Sequence, residues 1–407
     1  MPEAVIVAAA RSPIGRALKG SLTELRPDDM AVQIVRAALD QVPELDPTEI
    51  VDLHLGCAEP YDEHGGNMAR RVAVQLGFDT LPGTTVNRYC ASSLQTTRMA
   101  MHAIRAGEGH AFIAAGVECI SRYTDPSAPG AVPDRYKNPL FGDAIARNEE
   151  IVAANRPWTD PRADGGLPDV YLMMGQTAEN VATACDISRE EQDRFAVRSQ
   201  QRAEAAIADG FFAREITPLT LPDGSRVATD DGPRPGTSYE KVAALKPAFR
   251  AGGTVTAANA CPLNDGAAAL VVMSDERAAE LGIEPLARIV ATGVSGLSPE
   301  IMGLGPIEAS RQALSHAGMT IDDLDLVEIN EAFAVQVIAS ARELAIDEDK
   351  LNVHGGAIAL GHPFGMTGAR IATTLINGLR SRDGQLGLET MCVGGGQGMA
   401  MILERLS

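Results

Sequence analysis

The sequence predicts an α/β layered fold made of two similar halves with an inserted segment between them. Strand-like and helix-like patterns alternate over residues 1–120, which is typical of a layered α/β protein. The same alternation resumes at Thr254 and continues to the end of the chain, whereas residues 121–250 differ in composition and pattern. A chain of 407 residues is long enough for two or three such units.

In the first half, each element follows from a short apolar run or from apolar residues at helical spacing. Strands are predicted at Val5–Ala9, Val51–Leu55, Thr84–Val86 and Phe112–Val117, and helices at Asp28–Leu39, Asn67–Leu76 and Ala91–Ala106. Gly107 suits the position just past the last of these helices. We therefore assign residues 1–120, together with residues 251–275, to an N-terminal half.

The middle segment, residues 121–250, is predicted to be an inserted domain. Tyr123–Pro168 is rich in Pro, Asp, Asn and Gly without clear periodicity, and a loop this long is expected at the surface. Ser188 and Glu191 form a capping-box pattern that opens a helix to about Ala208, and Gly210 ends it.

The second half, residues 276–407, returns to the α/β pattern. Strands are predicted at Ala268–Met273 (leading into this half), Arg288–Ala291, Leu326–Ile329 and, as the final strand, Leu388–Cys392, and helices at Ile307–His316 and Thr367–Leu379. The order of elements around Cys90 is repeated around His362, which indicates an internal duplication. A duplicated fold would bring two helix-opening turns face to face, with the chemistry where the halves meet.

Composition narrows the function classes. The formal net charge is −19, and nucleic acids and anionic membranes require a basic face, so neither is expected as a partner. The six cysteines form no CxxC pair and no cluster with metal-ligand spacing, which predicts reduced thiols, no bound metal and a cytoplasmic location. No apolar run approaches ~20 residues, so we expect no membrane span. We also expect no signal peptide and no peroxisomal address.

Two turns that open predicted helices carry the strongest catalytic candidates. Cys90 lies between a predicted strand and the helix that begins at Ala91, and the positive end of a helix favours the nucleophilic thiolate. An isolated cysteine is more often simply buried. His362 lies between a glycine and a proline at the second turn. A lone histidine is usually structural, but one held at such a turn is a better candidate for a base.

Two further turns add candidates. Cys392 ends a predicted strand and precedes a run of three glycines that begins at Gly394, whose N–H groups can approach a ligand and form an oxyanion hole. A plain glycine-rich turn is the alternative. Asn330 is expected to be the N-cap of a helix, although its carboxamide can instead hold a catalytic water.

Together, these stretches resemble the thiolase family over essentially the whole chain. The motifs that carry the resemblance, in the family's order, are Cys90-Ala-Ser-Ser93, Asn330-Glu-Ala-Phe333, Gly361-His-Pro-Phe-Gly365 and Cys392-Val-Gly-Gly-Gly-Gln-Gly398. Supporting matches are Met174-Gly-Gln-Thr-Ala-Glu-Asn180, Lys246-Pro-Ala-Phe249 and Asn264-Asp-Gly266. The resemblance implies a five-layered αβαβα thiolase fold with a loop domain that covers coenzyme A (CoA).

The resemblance also implies roles. Cys90 would be the acylated nucleophile, His362 its activating base, and Cys392 the acid/base toward the acetyl-CoA carbon or the CoA thiol. Asn330 would hold a water that stabilises the enolate oxygen together with His362, and the N–H groups of Cys90 and Gly394 would form a second oxyanion hole. Positions matching the CoA site are Met173, Arg234, Phe249 and Cys261, and those matching the acyl pocket are Met302 and Phe333. Two thiols with near-neutral pKa values and an imidazole suit this chemistry.

Three positions depart from the family pattern. Met366 replaces a small residue or Cys, which indicates packing. Cys261 stands where relatives commonly have a Ser that touches the pantetheine, and a thiol is a weak hydrogen-bond donor. Met173 stands where thiolases specific for acetoacetyl-CoA carry His, which is the main indication of substrate.

The leading hypothesis is a degradative 3-ketoacyl-CoA thiolase that acts on chains longer than four carbons, with CoA as a substrate and no bound cofactor. The alternative is a biosynthetic acetyl-CoA acetyltransferase. Cys392 argues against a decarboxylating ketoacyl synthase, and a non-catalytic CoA- or lipid-binding relative would have lost a catalytic residue. A zinc site from Cys90, His362 and Cys392 has the wrong ligand spacing. The family expectation is a homodimer or homotetramer, with a hydratase/dehydrogenase as a further partner.

Overall fold

A computed structural model describes residues 2–125 and 129–407 of the chain. Its strands are β1 Ala4–Arg11, β2 Gly15–Arg16, β3 Ile50–Gly56, β4 Gly83–Val86, β5 Ala111–Cys119, β6 Leu219–Thr220, β7 Arg226–Val227, β8 Asn264–Ser274, β9 Ala287–Gly296, β10 Leu326–Ile329, β11 Leu386–Val393 and β12 Gln397–Arg405. Its helices are α1 Pro27–Leu39, α2 Met68–Gln75, α3 Ser92–Ala106, α4 Gly142–Ala153, α5 Met174–Ala184, α6 Arg189–Ala208, α7 Tyr239–Ala243, α8 Asp275–Leu281, α9 Gly305–Ala317, α10 Ala334–Glu343, α11 Ala357–Leu360 and α12 Thr367–Ser381. Within the described ranges, none of the helices has the length and apolar character of a membrane span.

The main sheet runs through both halves in the order β10-β11-β12-β9-β1-β8-β5-β3-β4, with β2 paired to β8. A short antiparallel contact joins the halves, in which Val5 of β1 lies opposite Arg288 of β9 and Ile6 lies opposite Ala287. The remaining strands, β6 and β7, form a small separate hairpin.

The two halves have matching topology, as the internal repeat predicted. In the first half, β3 pairs in parallel with β4 and β5, and β5, β8 and β1 follow in antiparallel order. In the second half, β10 pairs in parallel with β11, and β11, β12 and β9 follow in antiparallel order. The counterpart of β4 is reduced to a single parallel bridge between Val327 and Leu351. The duplication is therefore present in the strand pairing itself.

Three apolar clusters divide these elements into five layers. Helices α1 and α2 cover the outer face of the first half, and α9 and α10 cover the outer face of the second half. Helices α3 and α12 lie between the inner faces of the two halves. Along β8, alternate residues face the outer cluster, as Val271 does, and the inner cluster, as Val272 does, which is the period of two expected of a strand buried on both faces. The predicted αβαβα arrangement is confirmed.

The two central helices begin against each other. Ala369 of α12 donates its backbone N–H to Ser93 Oγ at the start of α3 (2.9 Å). A Cβ atom added at Gly368 would lie 2.3 Å from the backbone nitrogen of Leu94, so glycine is what allows this approach. The contact brings together the turns that precede both helices, which carry Cys90 and His362.

A buried ion-pair network ties the middle segment to the first half. Arg11 at the end of β1 is fully buried and contacts Glu215 at 2.8 Å and Asp230 at 2.6 Å. A buried guanidinium is costly unless its charge is compensated, and here two carboxylates compensate it.

Helix α6 opens with the predicted Ser188–Glu191 capping box, so that prediction is confirmed.

Two sequence expectations are wrong in this architecture. The stretch predicted to lack regular structure contains helix α4, whose buried residues Ala144, Asn148 and Ile151 recur at helical spacing. Polar Asn148 within that stripe weakened the apolar pattern on which the prediction relied. Leu388–Cys392 is also not the final strand, because the chain turns at Gly394–Gly396 and returns as β12.

We expect Gly368→Ala to lower the melting temperature, because overpacking of a Cβ against backbone costs about 1–3 kcal/mol. Gly142→Ala is the matched control, since nothing lies within 4 Å of a Cβ added at that position in the first turn of α4. The control should leave the melting temperature unchanged or raise it slightly, because Ala is the better helix former by up to ~1 kcal/mol. Equal melting temperatures of the two variants in calorimetry would contradict the close contact of α12 with α3.

Candidate active site

Cys90 lies in a strained turn between β4 and α3. A short 3₁₀ helix spans Tyr89–Ala91, and Tyr89 has a φ of 44°, a left-handed conformation that is uncommon for a bulky residue. Ser92 stabilises the turn, since its Oγ donates to the carbonyl of Tyr89 (2.6 Å) and accepts the N–H of Arg88 (3.0 Å). The turn therefore holds the cysteine at one defined place ahead of the helix.

The glycine-rich turn between β11 and β12 approaches the sulfur of Cys90. The backbone N–H groups of Gly394 and of Cys90 itself donate to this thiol. Gly396 has a φ of 79°, and a Cβ there would lie 2.3 Å from the carbonyl oxygen of Leu297, so the tight turn requires glycine. The two N–H groups that the sequence paired as an oxyanion hole therefore meet at Cys90.

His362 is fully buried in the turn before α12, and its hydrogen bonds define its tautomer. Its backbone N–H donates to Asn264 Oδ1 (3.0 Å). Thr367 Oγ donates to the carbonyl of Pro363 (2.7 Å) and lies 2.7 Å from His362 Nδ1. Because the single hydroxyl proton is used on Pro363, Thr367 accepts from Nδ1–H, which leaves a lone pair on Nε2.

Asn330 faces that lone pair. Its Nδ2 lies 3.2 Å from His362 Nε2 and donates to it, and Gln336 Nε2 donates to the carbonyl of Asn330 (2.6 Å). Asn330 Oδ1 is buried without a hydrogen-bond partner among the described residues. The expectation that Asn330 is an N-cap is wrong, because α10 begins only at Ala334, after Phe333.

Burial keeps the reactive groups neutral. Burial raises the pKa of the Cys90 thiol to about 12 against the opposing effect of its two N–H donors, and raises the pKa of Cys392 well above its usual value, with a further increase from nearby Cys90. Burial lowers the pKa of His362 to about 3. Desolvation therefore acts against the near-neutral thiol pKa values that suit the chemistry, in the direction opposite to the helix-end effect.

A cavity of about 160 Å³ opens beside Cys90. Its lining residues are Ala58, Glu59, Tyr89, Cys90, Pro129, Gly130, Val132, Val170, Tyr171, Leu172, Met173, Met174, Phe364, Gly394 and Gly395. Phe364 also lies edge-on to the His362 ring, with centroids 5.1 Å apart, so it links the histidine to the cavity. The structure thus brings Cys90, Gly394 and Met173 to one cavity.

Other predicted site residues lie around this centre. Met302 and Phe333 are 2% and 7% exposed and pack in one apolar cluster with Cys392, and neither belongs to the described wall of the Cys90 cavity. Cys261 is close enough for its charge to raise the pKa of Cys392, and its backbone N–H donates to the carbonyl of Ala332 (3.0 Å). Phe249 contacts Phe333 edge-on at 6.1 Å between ring centroids.

Arg234 lies in a second cleft, of about 290 Å³, that also contains Arg16 and Lys241. Burial and the neighbouring charge of Arg16 lower the pKa of Arg234, which means that the two guanidinium groups are near each other. A cleft with this concentration of positive charge can bind phosphate groups. Among the residues that the structure describes, no group of three His, Cys, Asp or Glu side chains is placed to hold a metal.

Sequence reasoning missed Glu118, whose side chain holds two backbone segments beside the site. Its buried carboxylate accepts the backbone N–H groups of Ala58 and Gly365 (both 2.8 Å) and the hydroxyl of Tyr123 (2.7 Å). Burial raises the pKa of Glu118 to about 7. A glutamate within the apolar strand Ala111–Cys119 was the available signal, since an isolated acidic residue in a fully buried strand needs partners.

Two family models match the chain, that of the thiolase N-terminal domain over residues 4–276 and that of the thiolase C-terminal domain over residues 283–405. The 3-oxoadipyl-CoA/3-oxo-5,6-dehydrosuberyl-CoA thiolase of Escherichia coli (strain K12) is 43% identical, and the match covers 100% of both chains. The 3-ketoacyl-CoA thiolase of Bacillus subtilis (strain 168) is 42% identical over 99% of this chain and 100% of its own. The crystal structure of the Bacillus anthracis acetyl-CoA acetyltransferase superimposes with a TM-score of 0.86 at 39% identity, covering 100% of this chain and 99% of that one.

We expect alkylation of Cys90 by iodoacetamide to accelerate from about pH 6 to about pH 10 without a plateau. A pKa of about 12 keeps the thiol protonated in this range, so the thiolate fraction rises roughly tenfold per pH unit. Peptide mass mapping separates Cys90 from the other five cysteines, and Cys90→Ser provides the blank. A plateau near pH 7 would instead indicate a preformed thiolate–imidazolium pair.

Proposed function

The chain belongs to the thiolase family, and from this premise we propose that it cleaves 3-ketoacyl-CoA with CoA to give acetyl-CoA and an acyl-CoA shortened by two carbons. Members of the family transfer acyl groups, and the chain is an acyltransferase. The observation that carries the specific proposal is the proximity of two thiols, Cys90 and Cys392, with the N–H groups of Gly394 and Cys90 at the Cys90 sulfur. We assign the hydrogen-bonded His362–Asn330 pair to the same centre.

In the first proposed step, Cys90 attacks the 3-keto carbon while its proton moves to a neutral base. We assign this role to His362, because Thr367 holds its Nδ1–H and fixes the ring, which leaves the lone pair of Nε2 to accept a proton. The bond between C2 and C3 then breaks, and the leaving carbanion of acetyl-CoA takes a proton from Cys392. The result is an acyl-Cys90 thioester and acetyl-CoA.

In the second proposed step, CoA thiol gives its proton to Cys392 and attacks the acyl-Cys90 carbonyl. The bond from that carbon to the Cys90 sulfur then breaks, which releases the acyl-CoA, and the Cys90 thiolate takes its proton back from His362. The oxyanion that forms would lie between the N–H groups of Cys90 and Gly394, which already meet at this sulfur. Preorganised donors of this kind are worth about 10²–10³ in kcat each. For the enolate of the first step, His362 and a water held by Asn330 would stabilise the oxygen, and the unpartnered Asn330 Oδ1 supports that water position.

The proposed CoA site places the nucleotide at the cationic cleft of Arg16, Arg234 and Lys241. In this assignment the halves formed by residues 1–120 plus 251–275 and by residues 276–407 hold the catalytic centre, and residues 121–250 cover CoA. Phe249 and Cys261 would contact the pantetheine. Met302 and Phe333 would contact the part of the acyl group beside Cys392, and the tail of the acyl group would enter the cavity at Cys90 that Met173 and Glu59 line. Because Cys261 is a weak donor, we propose that it contributes packing more than hydrogen bonding there.

The proposed physiological setting is degradative fatty acid metabolism in the cytoplasm, with the chain as a homodimer or homotetramer and a hydratase/dehydrogenase supplying its substrate. Strand β4 supports self-association, since it ends the sheet order and pairs only with β3 among the described strands. An unpaired edge is a ready surface for pairing with a second chain. The biosynthetic acetyltransferase is the alternative, and the acetyl-CoA acetyltransferase that superimposes on the chain favours it.

We expect acetyl-CoA to acetylate Cys90 and no other cysteine, as read by peptide mass mapping after trapping. Cys90→Ala should abolish the adduct, whereas Cys392→Ala should keep acyl transfer to Cys90 but lose thiolysis and condensation. Cys185→Ala, at a half-buried thiol outside the described cavity wall, should behave as the parent. Equal loss of labelling in Cys90→Ala and Cys392→Ala would mean that Cys392 activates the nucleophile.

We expect 3-ketohexanoyl-CoA to exceed acetoacetyl-CoA in kcat/KM of thiolysis by about tenfold, because each buried methylene contributes ~0.8 kcal/mol. Met173 lines the cavity at Cys90 and adapts to apolar shapes, so Met173→His should move the preference toward acetoacetyl-CoA. Met173→Leu is the control and should keep the preference. If acetoacetyl-CoA is the best substrate of the parent chain, the biosynthetic alternative replaces the degradative one.

A further inference from the structure

The wall of the Cys90 cavity contains one charged side chain that the proposed reaction does not use. Glu59 is the only residue with a carboxylate, ammonium, guanidinium or imidazole group in the described wall. Residues 126–128, which the structure does not describe, are Pro, Ser and Ala and therefore carry no such group. The remaining walls are backbone or largely apolar side chains such as Val132, Val170 and Met173. An acidic side chain thus lines the cavity without a compensating cation in the part of the wall that the structure describes.

Hydrogen bonds hold the Glu59 carboxylate in place. The hydroxyl of Tyr61 and the backbone N–H of Gly130 both donate to it, and the residue is only 6% exposed. Burial raises the pKa of Glu59, and the two hydrogen bonds act in the opposite direction. A carboxylate fixed by two donors cannot swing out to solvent when a ligand enters, so its charge stays in the wall.

Glu59 is also within electrostatic reach of the sulfur. The negative charges of Glu118 and Glu59 both contribute to the raised pKa of the Cys90 thiol. The cavity of about 160 Å³ has room for roughly five groups the size of a water molecule, at about 30 Å³ each. The end of a short acyl chain on Cys90 therefore remains close to Glu59, where a second negative charge would be strongly repelled.

We propose that Glu59 is a specificity-determining residue that excludes short acyl chains ending in a carboxylate, so that the substrates are 3-ketoacyl-CoA thioesters with an uncharged tail. The inference rests on the thiolytic function proposed above and adds the class of its acyl group. The Escherichia coli relative is named for 3-oxoadipyl-CoA, whose acyl chain ends in a carboxylate. The exclusion would separate this chain from that relative in substrate despite their 43% identity.

The test uses two thioesters that differ only at the end of a six-carbon acyl chain, 3-oxohexanoyl-CoA and 3-oxoadipyl-CoA. Their kcat/KM values for thiolysis are measured at about pH 8 with the full-length chain, where the ionised form of Glu59 is favoured. We expect a ratio of at least about tenfold in favour of the uncharged substrate. Glu59→Gln keeps the size of the side chain and removes its charge, so it should reduce the ratio by about tenfold through better use of 3-oxoadipyl-CoA.

The control variant is Glu24→Gln, which removes an exposed carboxylate outside the cavity wall and should keep the parent ratio. If the parent chain cleaves 3-oxoadipyl-CoA as well as 3-oxohexanoyl-CoA, the inference is overturned and the thiolytic function stands. If the parent discriminates but Glu59→Gln keeps the same ratio, Glu59 is not the determinant. If neither thioester nor any other 3-ketoacyl-CoA is cleaved, the proposed function itself fails. The parent ratio needs no variant, so the inference stays testable even if Glu59→Gln does not fold.

Discussion

The candidate site depends on direct backbone contact between the His362 turn and the ends of strands β3 and β5. A Cβ at Gly365 would lie 2.4 Å from the carbonyl oxygen of Val117, and one at Gly116 would lie 2.0 Å from the carbonyl oxygen of Gly365. Glu118 completes the contact, because one carboxylate accepts N–H groups from Ala58 in the first half and from Gly365 in the second. Because the two backbones touch here, the contact fixes the position of the His362 turn relative to strands β3 and β5.

The same close packing determines the electrostatics of the centre. Thiol and imidazole are both desolvated, which favours the neutral form of each group. What replaces solvent is a fixed set of donors: the N–H groups at the Cys90 sulfur and the amide of Asn330 at the imidazole. Such a site stabilises charge only where and when it develops, which is the arrangement that favours a transition state over a resting ion pair.

Local signals were enough to predict much of this molecule. The capping box of α6, the internal repeat and the turns that carry Cys90, His362 and Cys392 were all visible as short patterns. Helix α4 was missed because Asn148 interrupts its apolar stripe. Asn330 was wrongly expected to be an N-cap, because irregular backbone follows its strand and α10 begins only at Ala334. The pKa values and the burial of the Glu59 and Glu118 carboxylates depend on distant segments that no window of sequence contains. Only the presence of an acidic residue within the apolar strand β5 marked Glu118 in the sequence. The roles of the individual site residues remain predictions.

The central layer has a consequence for the order in which the chain is made. Helix α3 and strands β1 and β5 leave the ribosome long before α12, yet α12 covers the inner apolar surface that they share. Until residues 367–381 are synthesised, side chains such as Leu94 and Ile104 lack part of their native cover, and exposed apolar surface of this kind makes nascent chains prone to aggregate. The last stretch of polypeptide therefore completes the site and shields the surface on which it is built, which makes truncation near the C-terminus a threat to solubility as well as to catalysis.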